Sequence, residues 1–145
     1  MCSRLCARRA PAANWIACRR LRGGRYRLSL VGRPGALFRE ELVAPPLMWS
    51  EATSVLHELR WRGEISDELA ADALSRLGSA PVAARNPKRL LQEAWKVADR
   101  FGWAKTYDAE YVALAQLLKC RLVTLDARLQ RTVTRLVTVI GPAEI

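Results

Sequence analysis

The chain has 145 residues, of which 50% are hydrophobic and 26% are charged, a composition typical of a globular protein rather than a disordered one. This length allows a single domain to bury a hydrophobic core without disulfides or metals as cross-links. No run of about 18 apolar residues occurs, so the sequence predicts no transmembrane helix.

The net charge of +10 is confined to the start of the chain. Residues 1–39 contain ten arginines and no acid, whereas residues 40–145 contain 14 basic and 14 acidic residues. Three of the four cysteines lie in the same arginine-rich segment, far from Cys120. Because no C-x-x-C spacing occurs and His57 is the only histidine, a zinc site is not predicted. We expect a cytoplasmic protein with reduced thiols.

From Glu41 onward, strand-like and helix-like segments follow in a regular order. Ser66 is a predicted N-cap, Asn86 is another with Pro87 at the first helical position, and Gly102 ends the helix that follows. The predicted order is a strand over 41–46, helices over 47–61 and 66–77, a strand over 81–85, helices over 86–102 and 107–119, a strand over 121–125, a helix over 127–136 and a strand over 137–141.

This order predicts an α/β fold in three layers, in which helices flank a parallel sheet and right-handed crossovers connect the strands. Residues 37–145 form the predicted domain. Residues 1–36 show no clean period, and only Tyr26–Gly32 has the pattern of a strand. We therefore interpret residues 1–36 as a separate, atypical arginine-rich segment.

Three carboxylates are predicted to converge on one end of this fold. Glu51 falls inside the apolar face of the helix over 47–61, and Asp108 falls inside the apolar face of the helix over 107–119. Asp126 follows a buried strand, at the carboxyl edge where open α/β sheets bind ligands. A carboxylate within an apolar face is costly unless something compensates for its burial.

Each of these acids also has an ordinary structural explanation. Glu51 can tilt to solvent, Asp108 can favour the positive end of a helix dipole, and Asp126 can cap the helix at Ala127. Converging carboxylates repel one another, however, and a hard divalent cation removes that repulsion. Mg²⁺ takes one or two carboxylates and keeps several waters, which leaves room for a phosphate. This chemistry suggests metal-assisted attack of water on a phosphodiester.

The segments "LVAPPLMWSEATSVLHEL" and "TYDAEYVALAQLLKCRLVTLDARL", with the order of elements between them, resemble the PIN-domain family. The likeness is to the VapC-type ribonuclease toxins of bacterial toxin–antitoxin pairs, and it runs from about Leu42 to Ile145. It implies a central parallel sheet flanked by helices and four acidic residues that bind Mg²⁺ or Mn²⁺ to cleave RNA. It also implies a cognate antitoxin protein as a partner, and a homodimer.

Three residues of this chain match metal ligands of the family: Glu51 on the first long helix, Asp108 at the start of the later helix, and Asp126 after the fourth strand. Thr124 matches a hydroxyl that supports the site. The catalytic set implied is therefore Glu51, Asp108, Asp126 and Thr124.

The family's first metal ligand has no counterpart in this chain. The family begins with a strand of the form Val-Val-Asp-x-Ser, but this chain has no aspartate before Asp67 and no acid before Glu40. We hypothesise that residues 1–36 come from a shifted reading frame or a misassigned start, or are disordered. Reading the gene in its other two frames tests the frame-shift hypothesis, which fails if neither frame gives a strand ending in Asp-x-Ser. Without that aspartate, we expect little or no activity from the chain as written.

Two alternatives to an active ribonuclease stay open. The chain can be a catalytically dead PIN-like module that binds an antitoxin or RNA. It can also be a nucleic-acid-binding protein whose arginine-rich N-terminus contacts phosphates, in which case salt-dependent binding disappears when residues 1–39 are deleted. Trp61 can stack on a base, but it is expected to pack against a neighbouring helix while the flanking arginines stay in solvent. Trp95, Phe101 and Trp103 are expected to belong to the core rather than to a binding platform.

Overall fold

The computed structural model describes the backbone of residues 14–19 and residues 40–141. These residues form five strands and five helices. The strands are β1 (Asn14–Arg19), β2 (Glu40–Ala44), β3 (Val82–Ala84), β4 (Arg121–Thr124) and β5 (Val139–Ile140); the helices are α1 (Leu47–Trp61), α2 (Asp67–Gly78), α3 (Leu90–Phe101), α4 (Tyr107–Leu118) and α5 (Ala127–Val133).

The strands form one sheet in the order β3-β2-β1-β4-β5. The predicted α/β fold is confirmed, and β2–β3 and β4–β5 are parallel pairs as expected. The central strand differs from the expectation of a parallel sheet, because β1 runs antiparallel to both β2 and β4. It comes from the arginine-rich segment and occupies the middle of the sheet. The strand expected at Tyr26–Gly32 lies outside the described residues.

Local signals set most helix ends. The Ser66 hydroxyl accepts a hydrogen bond from the Leu69 N–H at 3.2 Å, which caps α2 as predicted. Gly102 ends α3 with a left-handed φ of 63°, a conformation that glycine adopts without the Cβ penalty. The predicted start of α3 is wrong: the Leu90 N–H bonds the Pro87 carbonyl at 2.8 Å, so a turn precedes the helix at Leu90.

The core is built around α4, which packs against α3, β1 and β4. Its Ala113, Leu114 and Ala115 side chains have no exposed surface, and the small alanines allow neighbouring elements to approach closely. Within the described residues, no helix has both the length and the apolar character that crossing a membrane requires.

Three expectations about individual residues are wrong. Trp61 is 79% exposed, so it is not buried against a neighbouring helix as expected, and Trp95 is 65% exposed, so it is not part of the core. Phe101 and Trp103 do pack against the core, and their rings stack with centroids 5.0 Å apart. Cys120, which directly precedes β4, is disulfide-bonded and is therefore not a reduced thiol.

Candidate active site

The turn between β4 and α5 fixes the position of Asp126. Its Oδ1 accepts hydrogen bonds from the N–H groups of Arg128 at 2.7 Å and Leu129 at 3.1 Å, so Asp126 is the N-cap of α5. The buried Thr124 hydroxyl accepts a hydrogen bond from the Asp126 N–H at 3.0 Å. The Gln130 side chain donates to the Thr124 carbonyl at 2.9 Å. Thr124 therefore helps to hold the aspartate at the end of the strand.

Capping uses only one of the two carboxylate oxygens of Asp126. Among the described residues, its Oδ2 accepts no hydrogen bond. The capping interpretation and the ligand interpretation of this residue are therefore compatible, because one oxygen anchors the side chain and the other stays available.

Asp108 and Asp126 line the same cavity, whose volume is about 390 Å³. Asp108 lies in the first turn of α4, and Asp126 lies at the end of β4. The same cavity is lined by Trp103, Lys105, Tyr107 and Arg128. The structure thus places two of the predicted site residues on one concave surface.

Glu51 reaches this region from α1 and is bound to a buried tyrosine of α4. The Tyr111 hydroxyl, on a side chain only 2% exposed, donates to Glu51 Oε2 at 2.8 Å. Burial raises the pKa of the half-buried Glu51 carboxyl, the Tyr111 hydrogen bond partly opposes this, and the charge of Asp108 raises it further. The same burial and the bond to Glu51 raise the pKa of Tyr111. Glu51 therefore interacts electrostatically with Asp108, although it does not line the cavity.

Sequence reasoning missed Glu110, a fourth acid in this neighbourhood. Burial raises its pKa, and the charge of Glu51 raises it further. An acid in the first turn of a helix is adequately explained by the helix dipole, so nothing in the local pattern distinguishes this one. Tyr111 gave a better indication of a polar cluster here, because a buried tyrosine hydroxyl usually has a hydrogen-bond partner.

Within the part of the chain that the structure describes, no three His, Cys, Asp or Glu side chains lie close enough together to hold a metal ion. The acids are arranged instead as a pair on the cavity, Asp108 and Asp126, with Glu51 alongside. A site in which all three are ligands stays a prediction.

Comparison with known proteins identifies the fold family. The family model of the PIN domain matches residues 25–134. The chain belongs to the PIN-domain family. A VapC ribonuclease of Mycobacterium bovis (strain ATCC BAA-935 / AF2122/97) is 34% identical over 93 residues, which is 64% of this chain and 71% of the relative. Ribonuclease VapC9 of Mycobacterium tuberculosis, from strains CDC 1551 / Oshkosh and ATCC 25618 / H37Rv, gives the same identity and coverage.

The recognition of a VapC-like PIN domain from the sequence is therefore confirmed. The family match begins at residue 25, before the boundary that the sequence suggested at Leu37. That boundary stays a prediction.

The raised pKa of Glu51 makes the stability of this PIN domain depend on pH. The Glu51 carboxyl binds its proton more tightly in the folded state than in the unfolded state. Its contribution to the free energy of unfolding is therefore favourable at low pH and is lost as pH rises through the folded-state pKa. Near neutral pH the charged carboxylate is buried beside Asp108. We expect Glu51→Gln to raise the melting temperature of the metal-free protein by roughly 2–4 °C near neutral pH. The increase in melting temperature should become smaller as pH falls toward 4.5, the ordinary pKa of a glutamate side chain.

Thermal unfolding by circular dichroism across this pH range measures the effect. Asp99→Asn is the matched control, because it neutralises an exposed acid on α3 that does not line the cavity. A lower melting temperature for Glu51→Gln at neutral pH would contradict the assignment of unfavourable burial to this carboxylate.

Proposed function

We propose that this PIN domain is a metal-dependent endoribonuclease of a toxin–antitoxin pair, with cytoplasmic RNA as its substrate, and that the present chain has little or no activity because the first-strand aspartate is missing. The observation that carries the proposal is the shared cavity of Asp108 and Asp126. The family resemblance implies, independently of that cavity, that both residues are metal ligands. The ribonuclease names of the VapC relatives support the same activity.

The donor set fits Mg²⁺ or Mn²⁺. Both are hard cations that prefer oxygen ligands, and Mg²⁺ is held by one or two carboxylates with waters completing its coordination. Asp108 and the Oδ2 atom of Asp126 would supply those carboxylate oxygens. Glu51 is the third ligand that the family resemblance implies, and it lies beside the cavity. Held by these residues, such an ion would supply Lewis-acid chemistry for the hydrolysis of a phosphodiester.

The residues around these acids hold them in place. Thr124 and the first turn of α5 fix Asp126, and the Tyr111 hydroxyl fixes one oxygen of Glu51. Positioning matters because an error of about 1 Å in a reacting geometry can cost roughly 100-fold in rate. As partners we propose RNA, a cognate antitoxin protein that restrains the activity, and a second copy of the chain in a homodimer.

Metal binding should stabilise the fold. A ligand that binds only the folded state at 100 times its Kd adds about 2.7 kcal/mol, so millimolar Mn²⁺ or Mg²⁺ should raise the melting temperature. Asp126→Asn should weaken that shift without removing the helix cap, since asparagine caps helices as well as aspartate does. The Asp99→Asn control should keep the full shift. Absence of any shift with millimolar Mn²⁺ would contradict a metal site.

One observation favours a second candidate function. The chain has no aspartate before Asp67, so the first ligand that the family resemblance implies is missing. The alternative is a catalytically inactive PIN module that binds an antitoxin. Tight binding to the protein encoded by the neighbouring gene, without RNA cleavage, would support that alternative.

A further inference from the structure

The cavity that contains the acid pair is also lined by aromatic and basic side chains. Trp103, Lys105, Tyr107 and Arg128 line it together with Asp108 and Asp126. We call the first four residues the cavity rim. Acids alone suffice for a metal site, so the rim requires a separate explanation.

The aromatic part of the rim combines a fixed ring with an exposed one. Trp103 is half-buried and stacks on Phe101, with an interplanar angle of 23°. Tyr107, the first residue of α4, is 54% exposed. A tyrosine placed at a cavity with half of its surface in solvent contributes little to the core, and it can contact a ligand there.

The basic part of the rim carries two charges that the described residues do not neutralise. Lys105 and Arg128 are both exposed, and neither forms an ion pair with another described residue. By contrast, Arg60, Arg62 and Arg76 on the α1–α2 surface are each paired with an acid. The Lys105 ammonium lies 5.8 Å from the centre of the Tyr107 ring. A cation and an aromatic ring are therefore adjacent at the mouth of the cavity.

We propose that the cavity rim is a subsite for one unpaired nucleotide of single-stranded RNA. Tyr107 stacks on the base, while Lys105 and Arg128 contact phosphates on either side of the acid pair. This proposal rests on the ribonuclease function proposed above and assigns the substrate-contacting residues. Bases stack on aromatic side chains in single-strand binding sites, and basic residues follow the backbone.

The dimensions of the cavity favour a single strand over a duplex. A volume of about 390 Å³ lies in the range of small-molecule sites, which is small for a segment of duplex. Stacking tolerates any base, because every base has a π-face. The subsite therefore positions the strand beside Asp108 and Asp126 without reading its sequence.

Binding of a fluorescently labelled oligoribonucleotide, measured by anisotropy in EDTA to prevent cleavage, tests the subsite. Loss of one base–aromatic stack should weaken binding roughly 5- to 150-fold, so Tyr107→Ala should lose affinity by that factor. Tyr107→Phe keeps the ring and should retain affinity. Lys105→Ala and Arg128→Ala should each reduce the slope of log K against log salt by about one.

Matched controls separate the subsite from general effects. Trp95→Ala removes an exposed aromatic residue outside the cavity, and Lys88→Ala removes an exposed cation outside it; both should bind RNA as tightly as the wild-type chain. All variants share the arginine-rich segment, so its contribution cancels in the comparison. A duplex of the same sequence should not show the Tyr107 dependence.

The possible outcomes distinguish the subsite from the proposed function. RNA binding that is unaffected by Tyr107→Ala overturns the subsite and leaves the ribonuclease function standing. A wild-type chain that binds no single-stranded RNA in EDTA also overturns the subsite, whereas the ribonuclease function is overturned only if a chain with a restored Val-Val-Asp-x-Ser strand fails to cleave RNA with Mn²⁺. Equal loss in the Trp95→Ala control also overturns the subsite, as does an equal Tyr107 dependence with duplex RNA.

Discussion

A chain in which residues 1–36 are replaced by a strand carrying Val-Val-Asp-x-Ser, joined at Leu37, is expected to cleave single-stranded RNA with Mn²⁺. The chain with its present residues 1–36 is expected to show little or no cleavage. The difference should be at least about 100-fold, because a loosely held cation is poorly positioned for hydrolysis. The remaining acids would still attract a divalent ion, but with one carboxylate ligand fewer than the family resemblance implies.

Cleavage of a labelled oligoribonucleotide, analysed by gel electrophoresis, measures this difference. Asp108→Asn in the restored chain is the control, and it should abolish the activity that the new strand provides. Suppose instead that the present chain cleaves as fast as the restored one. Glu40, Glu41 or another group then replaces the missing aspartate, and the proposed set of metal ligands is wrong.

Deleting residues 1–36 is expected to abolish cooperative folding. The strand β1 pairs with β2 on one side and with β4 on the other, and it is the only link between the two parallel pairs in the described sheet. Its loss leaves the backbone groups of two inner strands unpaired, and each buried, unpaired polar group costs about 1–3 kcal/mol. A protein of this kind has a total stability of only about 5–15 kcal/mol.

Deletion of residues 1–12 is the matched control for that experiment, because it removes arginines and cysteines but keeps the whole of β1. Thermal unfolding followed by circular dichroism should show a cooperative transition for this shorter deletion and none for deletion of residues 1–36. A chain starting at residue 37 that unfolds cooperatively at the same temperature as the full chain would show that β1 contributes nothing to the sheet.

Local sequence signals predict most of the elements. The helix over Leu47–Trp61 has the bounds that its sequence predicts, because a double proline precedes it and Gly63 follows it. The start of α3 differs from its prediction because Asn86 and Pro87 satisfy the statistics of a helix start but form a turn ahead of it. Tertiary contacts decide whether residues 86–89 form a helical turn or a separate turn, and these contacts cannot be predicted from the local sequence.

The candidate site is partly predictable for a similar reason. Asp126 can be found from the sequence because it follows a buried strand, which is a local pattern. The hydrogen bond between Tyr111 and Glu51 joins residues 60 positions apart, and no periodicity indicates it. The direction of β1 is also hidden, since a strand's alternation is the same in either direction.

The reversed direction of β1 changes which part of the chain reaches the site. Asn14 pairs with Thr124, so the chain enters the sheet at the edge where Asp126 lies and leaves it at the opposite edge, where Arg19 pairs with Glu40. Any segment fused directly ahead of Asn14 therefore ends beside the sheet edge that carries Asp126. An affinity tag, a fluorophore or a tethered peptide attached there would share that space with an incoming RNA.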